Sequence, residues 1–127
     1  MKKIVIADDS GTARMMIKRC LEIIGLTETE FLEAENGKEA LTLVKQQPVD
    51  LLISDLNMPV MDGETLLKWV KASPKLIDLP VLIITSAGNQ AKSDQLVNMG
   101  AFAVANKPIN PAILSNILAP LLESNED

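Results

Sequence analysis

Three short stretches of the chain are apolar without interruption: Ile4–Ala7, Leu51–Ile53 and Val81–Ile84. A strand with one face in water alternates apolar and polar residues, whereas a strand buried on both faces is apolar throughout. Continuous apolar runs of this length are typical of parallel sheets that helices cover on both sides. This feature therefore constrains the chain towards an α/β fold.

Five strand-like segments alternate along the chain with five helix-like segments. We expect strands at Lys3–Asp8, Glu30–Ala34, Val49–Asp55, Pro80–Thr85 and Ala101–Ala105. We expect helices at about 13–24, 36–44, 62–72, 89–99 and 110–121. Short connections and right-handed crossovers then give a (βα)5 doubly wound fold, with a five-stranded parallel sheet and helices on both faces.

The ends of several predicted helices carry recognisable signals. Gly25 follows an apolar stripe of the first helix as a stop, and Asn36 and Asn110 are caps at the starts of the second and fifth. The stripe of the first helix consists of Ala13, Met16, Ile17, Cys20, Leu21 and Ile24. Pro120 is expected to kink or fray the last turn of the fifth helix.

Composition excludes several classes of function. The 127 residues suggest a single domain, 1–127, whose acidic end, 123–127, is expected to be frayed. A net charge of −5 disfavours nucleic-acid binding. The absence of histidine excludes catalytic triads and His-ligated zinc, and a single cysteine excludes an internal disulfide. No stretch has the length of a membrane helix, so the expected location is the cytoplasm.

Polar side chains stand where the predicted strands end. Asp8 and Asp9 follow the first strand, Asp55 ends the third, Thr85 ends the fourth and Lys107 follows the fifth. The carboxyl ends of parallel strands share one edge of the sheet, where sites of such folds form. Clustered carboxylates repel one another unless a cation is present, and oxygen ligands beside phosphate suit Mg²⁺.

These side chains also suit phosphoryl transfer. Mg²⁺ would be held by Asp9 and Asp55, with Asp8 acting directly or through water and Asn57 through its backbone carbonyl. A carboxylate can accept a phosphoryl group as an acyl phosphate, and Lys107 and the Thr85 hydroxyl can stabilise the phosphoryl oxygens.

Four motifs together resemble the receiver domain of two-component response regulators, in the stand-alone, CheY-like form. They are Ile4–Ser10 (IVIADDS), Asp55–Gly63 (DLNMPVMDG), Pro80–Ser86 (PVLIITS) and Gly100–Ala101 with Lys107–Pro108. The resemblance implies the flavodoxin-like strand order 2-1-3-4-5. It implies phosphorylation at Asp55, a metal site at Asp8, Asp9, Asp55 and Asn57, switch roles for Thr85 and Lys107, and a cis peptide bond between Lys107 and Pro108.

The resemblance further implies a signalling switch rather than an enzyme with a separate substrate. The phosphoryl donor would be a phosphohistidine of a sensor histidine kinase or a histidine phosphotransfer protein. The output would be a protein bound by the last two helices and the strand between them, with chemotaxis as one candidate pathway. Neither nucleic acid nor membrane is expected as a direct partner.

One position departs from the family pattern. An aromatic residue often stands three positions before the lysine, where this chain has Val104. Phe102 lies two residues earlier, on the same face of an ideal strand.

Two other functions compete with the receiver hypothesis. Asp55-Leu56-Asn57 superficially resembles the Asp-x-Asp motif of haloacid-dehalogenase phosphatases, although Asn57 cannot act as that motif's general acid. A receiver used as a phosphorylation-independent scaffold is the third hypothesis.

Overall fold

The computed structural model describes residues 1–86 and 88–123, which form five strands alternating with five helices. The strands are β1 (Lys3–Ala7), β2 (Glu30–Ala34), β3 (Leu51–Asp55), β4 (Val81–Thr85) and β5 (Ala103–Asn106). The helices are α1 (Gly11–Ile23), α2 (Gly37–Gln46), α3 (Gly63–Ala72), α4 (Gln90–Asn98) and α5 (Pro111–Glu123). All strand pairs are parallel, in the order β2-β1-β3-β4-β5, which confirms the predicted fold.

The sheet separates two apolar clusters, which is why its central strands are apolar on both faces. One cluster joins residues of α2, α3 and α4 to one face, and the other joins residues of α1 and α5 to the opposite face. Every residue of β3 and β4 is buried, whereas the edge strand β2 buries only Ala34. The uninterrupted apolar runs therefore mark the interior of the sheet.

Side-chain caps fix the starts of the helices. Asn36, Asp62 and Asn89 each accept a hydrogen bond from the backbone N–H three residues on, as does Ser10 for α1. Asn110 caps α5 in the same way, at 2.8 Å from the Ile113 nitrogen. A cap of this kind contributes about 1 kcal/mol.

The start of β5 differs from the prediction by two residues, because the end of α4 uses the intervening backbone. Gly100 has a φ of 110°, and its N–H donates to Val97 O at 2.9 Å. The Ala101 N–H donates to Leu96 O at 3.0 Å, which completes a Schellman cap. Ala101 is thus part of the helix end, and the strand begins at Ala103.

Helices α1 and α4 each bury few side chains. The sequence predicts that Met16 lies on the inward face of α1, but it is 53 % exposed, and the buried residues of that helix are Ile17, Cys20 and Leu21. Helix α4 buries a single residue, Leu96, and Lys92 on its first turns forms an ion pair with Glu64 of α3.

The predicted acidic tail lies outside the described residues except for Glu123, which ends α5. Among residues 1–86 and 88–123, the helices are too short or too polar to span a membrane.

Gly63 allows α3 to begin directly behind the end of β3. A Cβ atom there would lie against the backbone oxygen of Asp55 and 3.0 Å from the Leu56 Cα. Since backbone atoms cannot rotate away, we expect Gly63→Ala to lower the free energy of unfolding by about 1–3 kcal/mol. Urea unfolding followed by circular dichroism measures the change.

Gly11→Ala is the matched control for this prediction. The nearest atom to its added Cβ is Arg14 Nη2 at 3.5 Å, an ordinary contact. Alanine also favours the helix, so no loss of stability is expected at position 11. Equal stability of the two alanine variants would contradict the steric role of Gly63.

Candidate functional site

Three carboxylates meet at the carboxyl edge of the sheet. One oxygen from each of Asp8, Asp9 and Asp55 lies within 4.8 Å of the other two. Asp8 is 1 % exposed and Asp55 is 9 % exposed, whereas Asp9 is exposed to solvent. The adjacent pairing of β1 with β3 brings the first two acids beside the third.

Backbone hydrogen bonds orient the two buried carboxylates. Asp8 Oδ1 accepts from the Ser10 N–H at 2.9 Å, and Asp55 Oδ1 accepts from the Leu56 N–H at 2.9 Å. In each case the second oxygen, Oδ2, is directed towards the ammonium of Lys107. The two carboxylates are thus held in fixed rotamers that share one cation.

Lys107 provides that cation from the loop after β5. Its Nζ lies 3.1 Å from Asp8 Oδ2 and 3.6 Å from Asp55 Oδ2. Its backbone N–H donates to Thr85 O at 2.9 Å, which anchors the loop to the end of β4. The Lys107–Pro108 peptide bond is cis, as the family resemblance implies.

Burial and neighbouring charge act on the ionisation of this group of residues. Burial raises the pKa of Asp55, and the negative charge of Asp8 raises it further, against the opposing effect of Lys107. Burial alone would lower the pKa of Lys107, but the hydrogen bond to Asp8 and the charge of Asp55 outweigh it and the pKa is raised. The charged form of Lys107 is therefore favoured, and the ionised form of Asp55 is disfavoured.

Thr85 is fully buried at the end of β4, beside Asn106 in the register of the sheet. The following loop packs closely against it, because a Cβ added to Gly88 would lie 2.8 Å from Thr85 Cγ2. The added atom would also meet the Asn106 side chain. Asn57 is exposed in the loop after β3, two residues beyond Asp55.

The donor set fits a hard divalent cation. All three side chains offer oxygen ligands, which Mg²⁺ prefers. One oxygen of each carboxylate lies within 4.8 Å of the other two, so the three side chains could share one such ion.

Sequence reasoning missed Arg14 and Glu33. Arg14 Nη1 donates to Asp8 O at 2.6 Å, and its Nε donates to Glu33 Oε1 at 2.8 Å. In the sequence, Arg14 has the appearance of any charged residue of an amphipathic helix, and Glu33 that of any polar residue of an edge strand. Only the sheet order, which places β2 beside β1, indicates that the two meet near Asp8.

Val104 occupies the position where the family often has an aromatic ring. It is half-buried on β5 and packs against the cluster formed with α2, α3 and α4. Phe102 precedes the first residue of β5 and is half-buried as well.

The fold and the acidic site are typical of one family of signalling proteins, and sequence similarity identifies that family. The sequence profile of the response regulator receiver domain matches residues 4–119. The chain therefore belongs to the response-regulator receiver family of two-component signalling.

The most similar proteins include stand-alone receivers. The chain is 37 % identical to a chemotaxis protein CheY homolog of Campylobacter jejuni, an alignment that covers 94 % of this chain and 92 % of that protein. It is 36 % identical to chemotaxis protein CheY of Pseudomonas aeruginosa, over 95 % and 96 % of the two chains. The high-resolution structure of the chemotaxis response regulator CheY4 of Vibrio cholerae superimposes with a TM-score of 0.80 at 31 % identity, over 97 % of this chain and 98 % of that one.

Proposed function

We propose that Asp55 accepts a phosphoryl group from a phosphohistidine of a sensor histidine kinase or a histidine phosphotransfer protein. The observation that carries the proposal is the position of Lys107, whose Nζ lies 3.1 Å from Asp8 and 3.6 Å from Asp55 within a cluster of three acids. A cation shared by two carboxylates, one of them at a strand end, suits an incoming anion.

The chemistry is a transfer between two nucleophiles. A carboxylate oxygen of Asp55 bonds to phosphorus while the bond from phosphorus to the donor's imidazole nitrogen breaks, and the imidazole leaves with that electron pair. The product is an aspartyl phosphate. Lys107 then has a phosphoryl oxygen as a partner, and Thr85 donates its hydroxyl to another.

Magnesium belongs to this proposal as the cofactor. Asp8, Asp9, Asp55 and the Asn57 carbonyl would hold the ion, which neutralises charge on the phosphoryl oxygens when bound. Metal binding is supported by the oxygen-only donor set and by the close approach of the three carboxylates.

The output is a protein–protein interaction through α4, β5 and α5. Thr85 and Lys107 both adjoin this region, since Thr85 pairs with Asn106 of β5 and Lys107 follows that strand. A change in the Thr85 side chain on phosphorylation would alter the packing of the loop that leads to α4. Chemotaxis is the pathway that the names of the relatives support.

Acetyl phosphate tests the proposal without the kinase. Incubation of the full chain with acetyl phosphate and Mg²⁺, followed by intact-mass measurement, should show the gain of one phosphoryl group. The same reaction in excess EDTA should show a much smaller gain, because the developing charge is no longer neutralised. No gain in either reaction would favour the scaffold hypothesis, and rapid multiple turnover of phosphomonoesters would favour the phosphatase hypothesis.

A further inference from the structure

We propose that Arg14 is a positioning residue that aims the Asp9 carboxylate at the cation site, an inference that rests on the proposed binding of Mg²⁺. The Arg14 side chain is 14 % exposed. Its guanidinium donates to the backbone oxygen of Asp8 at 2.6 Å and to Glu33 Oε1 at 2.8 Å. One planar group thus connects α1, the end of β1 and the edge strand β2.

Asp9 differs from the other two acids in what orients it. Asp8 and Asp55 are buried and each carboxylate is fixed by a backbone N–H and by Lys107. Within residues 1–86 and 88–123, the exposed Asp9 carboxylate makes no hydrogen bond or ion pair. Its direction therefore depends on the backbone from which it projects.

Arg14 holds that backbone. The oxygen of Asp8 belongs to the peptide unit that ends at the nitrogen and Cα of Asp9, and a peptide unit is planar. A hydrogen bond to the oxygen consequently fixes the rotation of the whole plane. The backbone on the other side of Asp8 is fixed as well, because the Asp8 N–H donates a hydrogen bond to Ala34 O at 3.0 Å.

Glu33 keeps the guanidinium in place. It lies on β2, one residue before the Ala34 that pairs with the end of β1. The guanidinium uses different nitrogens for its two partners: Nε binds Glu33, while Nη1 binds the Asp8 oxygen. Lysine cannot divide its donors between two fixed directions in this way.

The sign of the effect on metal affinity separates positioning from simple electrostatics. A positive guanidinium near the acidic cluster repels a divalent cation, so its removal should strengthen Mg²⁺ binding if charge were its only influence. Loss of the hydrogen bond to the Asp8 oxygen frees the peptide plane and should weaken binding. We infer that the second effect dominates.

Calorimetric titration of the unphosphorylated full chain with MgCl₂ measures this affinity directly. We expect Arg14→Met to weaken Mg²⁺ binding by about three- to tenfold, below the range for groups that bind metal ligands directly. Glu33→Gln should weaken it less, and the double variant should bind as weakly as Arg14→Met alone, because both act through one contact.

Arg19→Met is the matched control, because Arg19 is an exposed arginine of the same helix and its loss changes the net charge equally. Its affinity should equal or slightly exceed that of the wild type. If Arg14→Met behaves like Arg19→Met, or binds Mg²⁺ more tightly than the wild type, the positioning role is refuted. Should Arg14→Met fail to fold, Arg14→Lys carries the test, because lysine keeps the positive charge but cannot divide its donors between the two partners; an affinity equal to that of the wild type would then refute the positioning role.

Asp9→Asn separates failure of this inference from failure of the proposed function. If the wild type binds no Mg²⁺, the metal is not part of the proposed function, and the role inferred for Arg14 is refuted as well. A wild type that binds Mg²⁺, an Asp9→Asn variant that loses it and an unaffected Arg14→Met variant would leave the proposed function standing and overturn only the role of Arg14.

Discussion

Asp55→Asn is expected to take up no phosphoryl group from acetyl phosphate and yet to be more stable than the wild type at neutral pH without Mg²⁺. Asparagine has no carboxylate nucleophile, so the acyl phosphate cannot form. Its amide oxygen can still accept from the Leu56 N–H, as Asp55 Oδ1 does at 2.9 Å. Lys107 keeps Asp8 as a partner at 3.1 Å.

The gain in stability follows from the ionisation of Asp55. Burial and the charge of Asp8 raise the pKa of Asp55 above the ordinary value of 3.8. Between the unfolded and the folded pKa, the folded state binds more protons than the unfolded state, so stability falls as the pH rises through that interval. At neutral pH, which is above the unfolded pKa, the carboxyl group of Asp55 therefore destabilises the metal-free protein, and the neutral amide removes this effect.

Intact mass and thermal unfolding at pH 7 in EDTA measure the two expectations for Asp55→Asn. Asp94→Asn, an exposed substitution on α4 with the same change in charge, serves as the control and should be phosphorylated normally. A phosphoryl group on Asp55→Asn equal to that on the wild type would place the acceptor elsewhere. A lower unfolding midpoint would contradict the electrostatic description of the site.

Lys107→Met is expected to slow phosphorylation by roughly 10²–10³-fold while leaving Mg²⁺ binding intact or stronger. The ammonium stabilises charge that develops on the phosphoryl group, and loss of one such preorganised donor costs about this factor. Its positive charge also opposes a metal ion in the same cluster. Methionine preserves the length and apolar character of the side chain.

The rate of mass gain with acetyl phosphate, together with Mg²⁺ titration, measures the effect of Lys107→Met. Lys68→Met is the control, because Lys68 is largely exposed on α3 and pairs only distantly with Glu64, at 3.8 Å. In EDTA, Lys107→Met should also unfold at a lower temperature, since it leaves the buried Asp8 without its cation, and added Mg²⁺ should restore stability. A rate within about threefold of the wild type, far from the expected factor, would contradict the role of Lys107.

The interior of the fold follows from the sequence because burial on both faces leaves a local signature. The apolar runs at Ile4–Ala7, Leu51–Ile53 and Val81–Ile84 all lie in the three inner strands. Caps such as Asn36 and Asn110 are equally local, since the cap and its N–H partner are three residues apart. Because these features involve residues close together in the chain, they can be recognised in the sequence.

Features that depend on distant contacts were not predictable in the same way. The exposure of Met16 depends on which side chains of α1 pack against the sheet and α5, and these are Ile17, Cys20 and Leu21. Lys107 was expected near the acids, but its closer approach to Asp8 than to Asp55 follows from side-chain packing. Arg14 has no sequence signal at all for its contact with the Asp8 oxygen.

Because α4 buries a single residue, a small free energy is enough to move it within the proposed output surface. Exposing one leucine such as Leu96 costs about 1.5–3 kcal/mol, and every 1.4 kcal/mol corresponds to a tenfold change in a population ratio. The ion pair between Lys92 and Glu64 is partly exposed and adds at most about 1 kcal/mol. A single covalent modification at the proposed site would therefore be enough to redistribute the conformers of this helix, while the rest of the apolar cluster that contains Leu96 stays packed.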